Sequence, residues 1–322
     1  MASSPLKLSL SDIRSGGKPA LARALTAIER SPQSPEVLDL LDDSYREPRA
    51  HVVGLTGPPG VGKSTLARAL IAAWRRGGLT VGVIAVDPSS KISGGALLGD
   101  RVRLATDPDD DGLFVRSMAA RDRLGGLAHQ TIAGMVLMRA VFDKVLIETV
   151  GVGQSETDIA HVADTVIFCV QPGSGDSLQF MKAGIVEIPD IAVVTKADLG
   201  DAARRAKNDL KSSLNLVPAR GNGWTIPVLT VSSEKGEGLE CLVDAVEKHG
   251  HLPDRDEARA AQAVYWLKDA IRIRFGSEGL KRAGDRLALE SGVSPFRREA
   301  ELGRYLLGPP GPEGAGGFGS IS

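Results

Sequence analysis

The chain has 322 residues and a formal net charge of −1, with 42% hydrophobic and 25% charged residues. These proportions are ordinary for a globular protein, and the near-neutral charge gives no drive toward nucleic acid or acidic lipid. No apolar stretch approaches the roughly 18–20 residues of a membrane-spanning helix, and the N-terminus lacks the apolar core of a signal peptide. Cys169 and Cys241 form neither a disulfide framework nor a CxxC metal pair, which is typical of a reducing compartment. Together these features predict a cytoplasmic protein without a nucleic-acid or membrane partner.

Hydrophobic periodicity divides the chain into a helical beginning and an alternating β–α region. Residues 1–48 have helical periodicity with a break at the Ser-Pro pairs near 31–35. Over residues 49–252, β-branched runs that are apolar on both faces alternate with amphipathic segments, which predicts a doubly wound parallel sheet of the α/β class. The predicted strands are HVVGLTG, TVGVIAVD, GLFVRS, DKVLIETV, DTVIFCV, DIAVVTKAD and PVLTVSS, and the predicted helices lie near 63–75, 125–141, 176–187, 202–214 and 238–249.

The C-terminal region, residues 253–306, is predicted to be helical. The segment AQAVYWLKDAIRIRF has apolar residues at helical spacing, so it either docks on the α/β domain or pairs with another chain. Tyr265 and Trp266 are candidates for a dimer contact in the second case. Residues 307–322 are rich in Gly and Pro, which predicts a disordered tail.

A phosphate-binding loop stands between the first strand and the next helix. The sequence GPPGVGKS at 57–64 matches G-x-x-x-x-G-K-[ST], in which backbone N–H groups surround a β-phosphate. Lys63 would supply positive charge to the β/γ oxygens, and the Ser64 hydroxyl would bind Mg²⁺. The predicted phosphate-binding residues are Gly57, Pro58, Pro59, Gly60, Val61, Gly62, Lys63, Ser64 and Thr65.

The tetrapeptide Thr195-Lys196-Ala197-Asp198 follows a predicted buried strand and favours guanine over adenine. The Asp198 carboxylate would accept hydrogen bonds from the N1–H and the exocyclic amine of guanine, while the Lys196 stem would pack on the base. Thr195 stands where such motifs usually have Asn, so we expect the loss of an amide tie to the phosphate loop and a lower affinity. Ser232 and Ser233 would contact the guanine from the other side.

Acidic residues at strand ends are candidates for magnesium binding. Glu148 closes a predicted strand, where a P-loop enzyme places an acid that holds Mg²⁺, and Gly151 follows as a sensor of the γ-phosphate. Asp87 closes another strand, and the long loop after it carries Asp100. The predicted metal ligands are thus Ser64, Asp87, Asp100 and Glu148.

Several strings along the chain resemble the methylmalonyl-CoA mutase-associated GTPases of the MeaB or ArgK type, a branch of the P-loop GTPases. They are GPPGVGKS, AVDPSSKISGGALLGDRVRL, FVRSMAARDRLGGLA, VLIETVGVGQSE, QPGSGDSLQFMKAGIVEIPDIAVVTKAD and AVYWLKDAIRIRF. The resemblance implies a homodimer, joined through a C-terminal helical arm, that hydrolyses GTP weakly. It also implies that the protein serves an adenosylcobalamin-dependent acyl-CoA mutase, most simply methylmalonyl-CoA mutase, and gates the loading and removal of its cofactor.

The resemblance also assigns roles to residues. By position, Lys63, Asp100 and Glu148 would be the catalytic residues, with GTP or GDP and Mg²⁺ as ligands, and Asp100 would assist hydrolysis. The loop 173–182 would be a third switch, carrying Asp176, Gln179 and Lys182. TKAD in place of NKAD, together with Ser177, Ser93 and Asp122, departs from the family pattern.

Two other functions share this architecture. A metallochaperone GTPase of the nickel type should carry a Cys/His cluster near the switches, whereas the histidines and cysteines here are dispersed. A P-loop kinase should have a separate acceptor-substrate domain, which the sequence does not indicate. An arginine finger is not identifiable, and the arginines near the switches are either candidates for it or a solvated surface: Arg101, Arg103, Arg116, Arg121 and Arg123.

Overall fold

The computed structural model describes residues 9–87, 109–119, 127–149, 158–173, 188–215, 223–290 and 292–308. The strands within these residues are β1 (His51–Thr56), β2 (Val81–Asp87), β3 (Leu113–Ala119), β4 (Lys144–Glu148), β5 (Thr165–Val170), β6 (Ile191–Val194) and β7 (Val228–Thr230). The helices are α1 (Leu10–Arg30), α2 (Pro35–Arg46), α3 (Lys63–Arg76), α4 (His129–Val141), α5 (Asp201–Leu214), α6 (Leu239–Gly250), α7 (Arg255–Ala283) and α8 (Pro295–Leu307). Within the described ranges no helix is long and apolar enough to cross a membrane.

The described strands form a seven-stranded sheet in the order β3-β2-β4-β1-β5-β6-β7, and every pairing is parallel. This confirms the predicted doubly wound fold. Strand β1 is central, between β4 and β5, so the loop that leaves β1 opens at the middle of the sheet's carboxyl edge. That edge is where ligands bind in open α/β sheets, at the point where the strand order reverses.

Successive strand residues point to opposite faces of the sheet, and each face has its own core. Val52 packs into the cluster formed with α1, α2, α4 and α7, whereas Val53 packs into the cluster formed with α3 and α6. Burial on both faces explains why these strands read as continuous apolar runs.

The predicted N-terminal helices are confirmed, with their break at the Ser-Pro pair. The side chain of Ser34 accepts a hydrogen bond from the backbone N–H of Val37, and Pro35 occupies the first helical turn of α2. An N-cap serine followed by proline is a strong helix start, so α2 begins where the pattern predicted. Leu21, Leu25 and Ile28 of α1 are fully buried against the sheet's helical layer.

Helix α7 docks on the α/β domain of its own chain, which is the first of the two alternatives predicted for its apolar face. Arg259 forms a bidentate ion pair with Asp164, at 2.7 and 2.6 Å, and also donates to the carbonyl oxygen of Ala50. Trp266 is only 1% exposed, and its indole N–H donates to the carbonyl oxygen of His161 at 2.6 Å. The expectation that Trp266 serves a dimer contact is therefore wrong, because the side chain is already used within the chain.

Candidate functional site

The loops that leave β1, β4, β5, β6 and β7 meet at one edge of the sheet. The phosphate loop follows β1, Glu148 ends β4, Gln171 follows β5, Thr195 follows β6 and Ser232 follows β7. Parallel strands bring all these ends to the same edge, so residues far apart in sequence share one site.

Two glycines give the phosphate loop its shape. Gly57 has φ 138°, and a Cβ there would lie 2.2 Å from the carbonyl oxygen of Cys169. Gly62 has φ 95° and caps α3 in the left-handed conformation. Both positions are open to glycine and strained for other residues, and they turn the loop toward the N-terminus of α3, whose dipole favours an anion.

Lys63, the first residue of α3, folds back over this loop. Its ammonium donates to the carbonyl oxygens of Gly57 at 2.6 Å and Pro58 at 2.9 Å, and the side chain is buried. The loop thereby holds a cation beside the N-terminus of α3, which is an arrangement suited to a phosphate.

Ser64 and Glu148 bring two hard oxygen donors together beside Lys63. The Ser64 hydroxyl donates to Oε1 of Glu148 at 2.5 Å, across the boundary between α3 and β4. A hydroxyl and one carboxylate form the kind of sparse oxygen set with which proteins hold Mg²⁺, while phosphate and water complete the shell. The donor set therefore fits the predicted metal.

A cavity of about 460 Å³ opens over these groups. Its walls come from the phosphate loop, the start of α3 and the ends of β2 and β4, and its described lining residues include Lys63 and no arginine. The cavity thus combines a cation, oxygen donors and a helix N-terminus in one concave space.

The Thr195 hydroxyl ties the base-side motif to the phosphate loop. It lies 2.6 Å from the carbonyl oxygen of Val61 and 3.0 Å from that of Val170, and the side chain is buried. The expectation that Thr in place of Asn removes this tie is wrong, because the hydroxyl donates to the loop in place of an amide.

Asp198 is exposed toward the solvent but held in place by Ser232. The Ser232 hydroxyl donates to Oδ1 of Asp198 at 2.8 Å, and this hydrogen bond is the main cause that lowers the pKa of Asp198. Ser232 is itself buried, and it orients the carboxylate from the wall of a small cavity. Asp198 remains an ionised acceptor, which is the state that pairs with two N–H donors.

Lys196 sits in the left-handed region with φ 53°, and its ammonium donates to Oε1 of Gln171 at 2.5 Å. A second contact reaches the carbonyl oxygen of Gly60 at 3.5 Å. Gln171 was not identified from the sequence; its position directly after β5, on the same sheet edge, is the signal that could have found it.

A second cavity, of about 170 Å³, lies beside the phosphate cavity. Thr195, Lys196, Asp198, Ser232 and Ser233 line it on one side, and Gly62 and Thr65 line both cavities. The two cavities thus adjoin at the start of α3, one lined by a cation and oxygen donors, the other by a fixed carboxylate and a lysine stem.

Some predicted residues lie outside the described part. They are Asp100, Gly151, the side chain of Asp87, the switch residues Asp176, Gln179 and Lys182, and Arg101, Arg103, Arg121 and Arg123. Arg116 is described, and it donates to Glu29 of α1 at 2.7 Å, away from the phosphate cavity. Its candidacy as an arginine finger is therefore not supported.

The described residues give no support to metal delivery. No group of three or more His, Cys, Asp or Glu side chains in the described ranges could hold a metal ion. Cys169 lies beneath the phosphate loop, where burial raises the pKa of its thiol to about 12, and the side chain is fully buried, away from any metal in solution.

Comparison with known proteins points to one family. The family model described as methylmalonyl-CoA mutase-associated GTPase MeaB matches residues 21–278. A relative from Pyrococcus horikoshii that is named as a GTPase is 41% identical over 271 residues, covering 81% of this chain and 84% of the relative. The mouse mitochondrial homolog of methylmalonic aciduria type A is 39% identical over 234 residues, covering 70% of this chain and 56% of the relative. A crystal structure described as LAO/AO transport system kinase superposes with a TM-score of 0.66 at 25% identity and covers 95% of this chain and 99% of that one.

Proposed function

The chain belongs to the methylmalonyl-CoA mutase-associated GTPase MeaB family, and on that premise we propose that it is a GTP-driven chaperone of an adenosylcobalamin-dependent acyl-CoA mutase. In this role it would gate the loading and removal of the mutase's cofactor, with methylmalonyl-CoA mutase as the first candidate partner. The family's description and the mouse relative named for methylmalonic aciduria support this choice of partner.

The observation that carries the nucleotide part of the proposal is the pair of adjoining cavities at the start of α3. We propose that the phosphates of GTP occupy the larger cavity, with residues 57–65 around them, and that the guanine occupies the smaller cavity. Asp198, oriented by Ser232, accepts from the two N–H groups of guanine. Adenine has no such pair of donors at that edge, so an adenine nucleotide would leave the carboxylate unpaired.

Hydrolysis in this proposal depends on fixed charge at the phosphate cavity. Lys63 would exchange its carbonyl partners for phosphate oxygens, while Ser64 and Glu148 would hold Mg²⁺. Mg²⁺, when bound, neutralises charge that develops on the β/γ oxygens. Asp87 and Asp100 belong to the proposed metal set, Asp100 assists hydrolysis, and Gly151 senses the γ-phosphate.

Slow hydrolysis by the protein alone is consistent with this arrangement. The described residues that line the phosphate cavity offer Lys63 but no arginine, and an arginine finger accelerates GTPases by about 10³–10⁵-fold. We therefore propose that the mutase completes the site, through the segment 173–182 that would act as the third switch.

A homodimer completes the proposal. The C-terminal helices carry exposed apolar side chains, namely Ile273 of α7 with Tyr305 and Leu307 of α8. Since Trp266 is already buried, these residues are the better candidates for a contact between two copies. Sedimentation of the unmodified protein and of Ile273→Asp tests this point: we expect a dimer that the substitution weakens, and a monomeric unmodified protein would contradict it.

The partner is tested by co-elution with purified methylmalonyl-CoA mutase in the presence of GDP or a non-hydrolysable GTP analogue. We expect a complex whose amount depends on the nucleotide, and Lys63→Ala is the matched control, because it should respond to neither nucleotide. If no complex forms with any nucleotide, and none forms with other adenosylcobalamin-dependent acyl-CoA mutases, the chaperone role is overturned.

A further inference from the structure

The Lys196 side chain has two anchors of unequal strength. The contact from its ammonium to Oε1 of Gln171 is 2.5 Å, whereas the contact to the carbonyl oxygen of Gly60 is 3.5 Å. Charge-assisted hydrogen bonds at short distance are the stronger ones, and a contact at 3.5 Å is at the limit of a hydrogen bond. The residue that fixes Lys196 therefore comes from the end of β5, and the phosphate loop contributes little.

Lys196 combines an unusual backbone conformation with an exposed side chain, and the exposed side chain is the reason that an anchor matters. Among the described residues, Lys196 is the non-glycine residue with positive φ, at 53°. Its side chain is exposed, and a free lysine side chain has much rotamer entropy to lose when a ligand orders it. An acceptor that holds the ammonium in advance removes that loss from the binding step.

We propose that Gln171 is a positioning residue for guanine nucleotides, which holds the Lys196 stem in the place where it packs on the purine ring. The register of the sheet is compatible with this, because Val170 pairs with Val194, which places Gln171 level with Thr195 and one residue short of Lys196 beyond the ends of β5 and β6. The inference rests on the proposed guanine site, the smaller cavity that Lys196 and Asp198 both line.

In this proposal Gln171 affects the binding affinity for either purine base, whereas Asp198 determines which purine base is preferred. Lys196 contacts the face of the ring, which guanine and hypoxanthine share, whereas Asp198 reads the edge. Removing the Gln171 acceptor should therefore raise the dissociation constants of GDP and IDP by the same factor. Asp198→Ala should instead change the ratio of the two constants.

The experiment measures the dissociation constants of GDP and IDP by calorimetry for the unmodified full chain, Gln171→Leu and Gln171→Glu. We expect Gln171→Leu to weaken both nucleotides by about three- to tenfold, and Gln171→Glu to restore binding because its carboxylate keeps an acceptor for Lys196. Gln33→Leu, the same change at an exposed position on the turn between α1 and α2, is the control for loss of a surface amide and should leave both constants unchanged.

A double-mutant cycle separates positioning from a general loosening of the loop. In a Lys196→Met background, which keeps an apolar stem without an ammonium, Gln171→Leu should have no further effect. Unchanged GDP affinity in Gln171→Leu, or an equal loss with and without the Lys196 ammonium, would overturn the proposal and leave the guanine site standing. If the unmodified protein does not bind GDP, the guanine site itself fails, and this inference fails with it.

Discussion

The hydroxyl of Thr195 lies 2.6 Å from the carbonyl oxygen of Val61, so a residue after β6 is bonded to the phosphate loop 134 positions earlier in the chain. Both residues line the smaller cavity, so the bond holds the wall of that cavity against the phosphate loop. In the proposed function one nucleotide spans both cavities, and we expect the Thr195–Val61 bond to help keep its phosphate and base sites at a fixed separation.

Thr195→Val tests this bond, because it keeps the shape of the side chain and removes the donor. We expect the GDP dissociation constant to rise by about three- to tenfold, which corresponds to the loss of one buried hydrogen bond. Thr195→Ser should retain most of the affinity. Thr26→Val, which removes a hydroxyl bond within α1, is the control, and equal GDP affinity in Thr195→Val and the unmodified protein would show that the tie is unimportant.

The fold was largely predictable from the sequence, since each described strand coincides with a predicted β-branched run. A strand buried on both faces, such as β1, leaves a continuous apolar run, and its short length and β-branched residues distinguish it from a buried helix. The predicted helices near 63–75, 125–141, 202–214 and 238–249 are likewise confirmed by α3, α4, α5 and α6, with ends shifted by a few residues. The predicted helix at 176–187 lies outside the described residues.

The contacts within the site were less predictable, because they join residues that the sequence does not relate. The TKAD motif predicts that Thr195 lacks the tie an Asn would make, whereas the fold places the Thr195 hydroxyl against the carbonyl oxygen of Val61. Trp266 illustrates the same limit, since periodicity located its helix but could not tell which surface the indole covers. Such contacts depend on the order of the strands in the sheet, and local sequence patterns do not predict that order.

Glu148→Gln tests the proposed metal site. The substitution keeps a partner for the Ser64 hydroxyl but removes the negative charge that favours a divalent cation. We expect the Mg²⁺ concentration for half-maximal GTP hydrolysis to rise about ten- to a hundredfold. GDP binding measured in a chelator should change little. Glu240→Gln, on the exposed side of α6, is the matched control, and an unaltered Mg²⁺ requirement in Glu148→Gln would remove Glu148 from the site.

Stability should depend on pH through His51, a buried residue at the start of β1. Burial is the main cause that lowers the pKa of His51 from 6.5 to about 3; neighbouring Lys144, His249 and Arg259 lower it further, and Asp164 opposes them. The folded protein therefore keeps His51 neutral, while the unfolded chain takes up a proton below pH 6.5. The stability that His51 contributes is complete above pH 6.5 and is lost as the pH falls from 6.5 toward 3.

The measurement compares denaturant unfolding at about pH 7.5 and about pH 5.5, where we expect the unmodified protein to lose about 1 kcal/mol more than His51→Gln. His51 lies 2.7 Å from the Thr165 hydroxyl, which lies 2.7 Å from Nδ1 of His249, so glutamine can still reach one partner. The same pH dependence in both proteins would show that His51 does not remain neutral in the fold.

The Arg259–Asp164 pair should hold α7 on the sheet. Arg259→Met leaves the buried carboxylate of Asp164 without its bidentate partner, and we expect the free energy of unfolding to fall by about 3–5 kcal/mol. Arg204→Met, which breaks an exposed pair with Asp201 on α5, should cost at most about 0.5 kcal/mol. Similar small losses in the two variants would mean that α7 is held by its apolar contacts alone.

The central claim is that this GTPase is a GTP-driven chaperone of an acyl-CoA mutase, which in turn completes its catalytic site. The most direct test is the rate of GTP hydrolysis with and without purified methylmalonyl-CoA mutase. We predict slow turnover by the protein alone and an increase of at least about tenfold when the mutase is added, because the partner supplies charge stabilisation that the described cavity lacks. Lys63→Ala should show no turnover in either case. A rate that is the same with and without the mutase, at concentrations where the two proteins co-elute, would contradict the account.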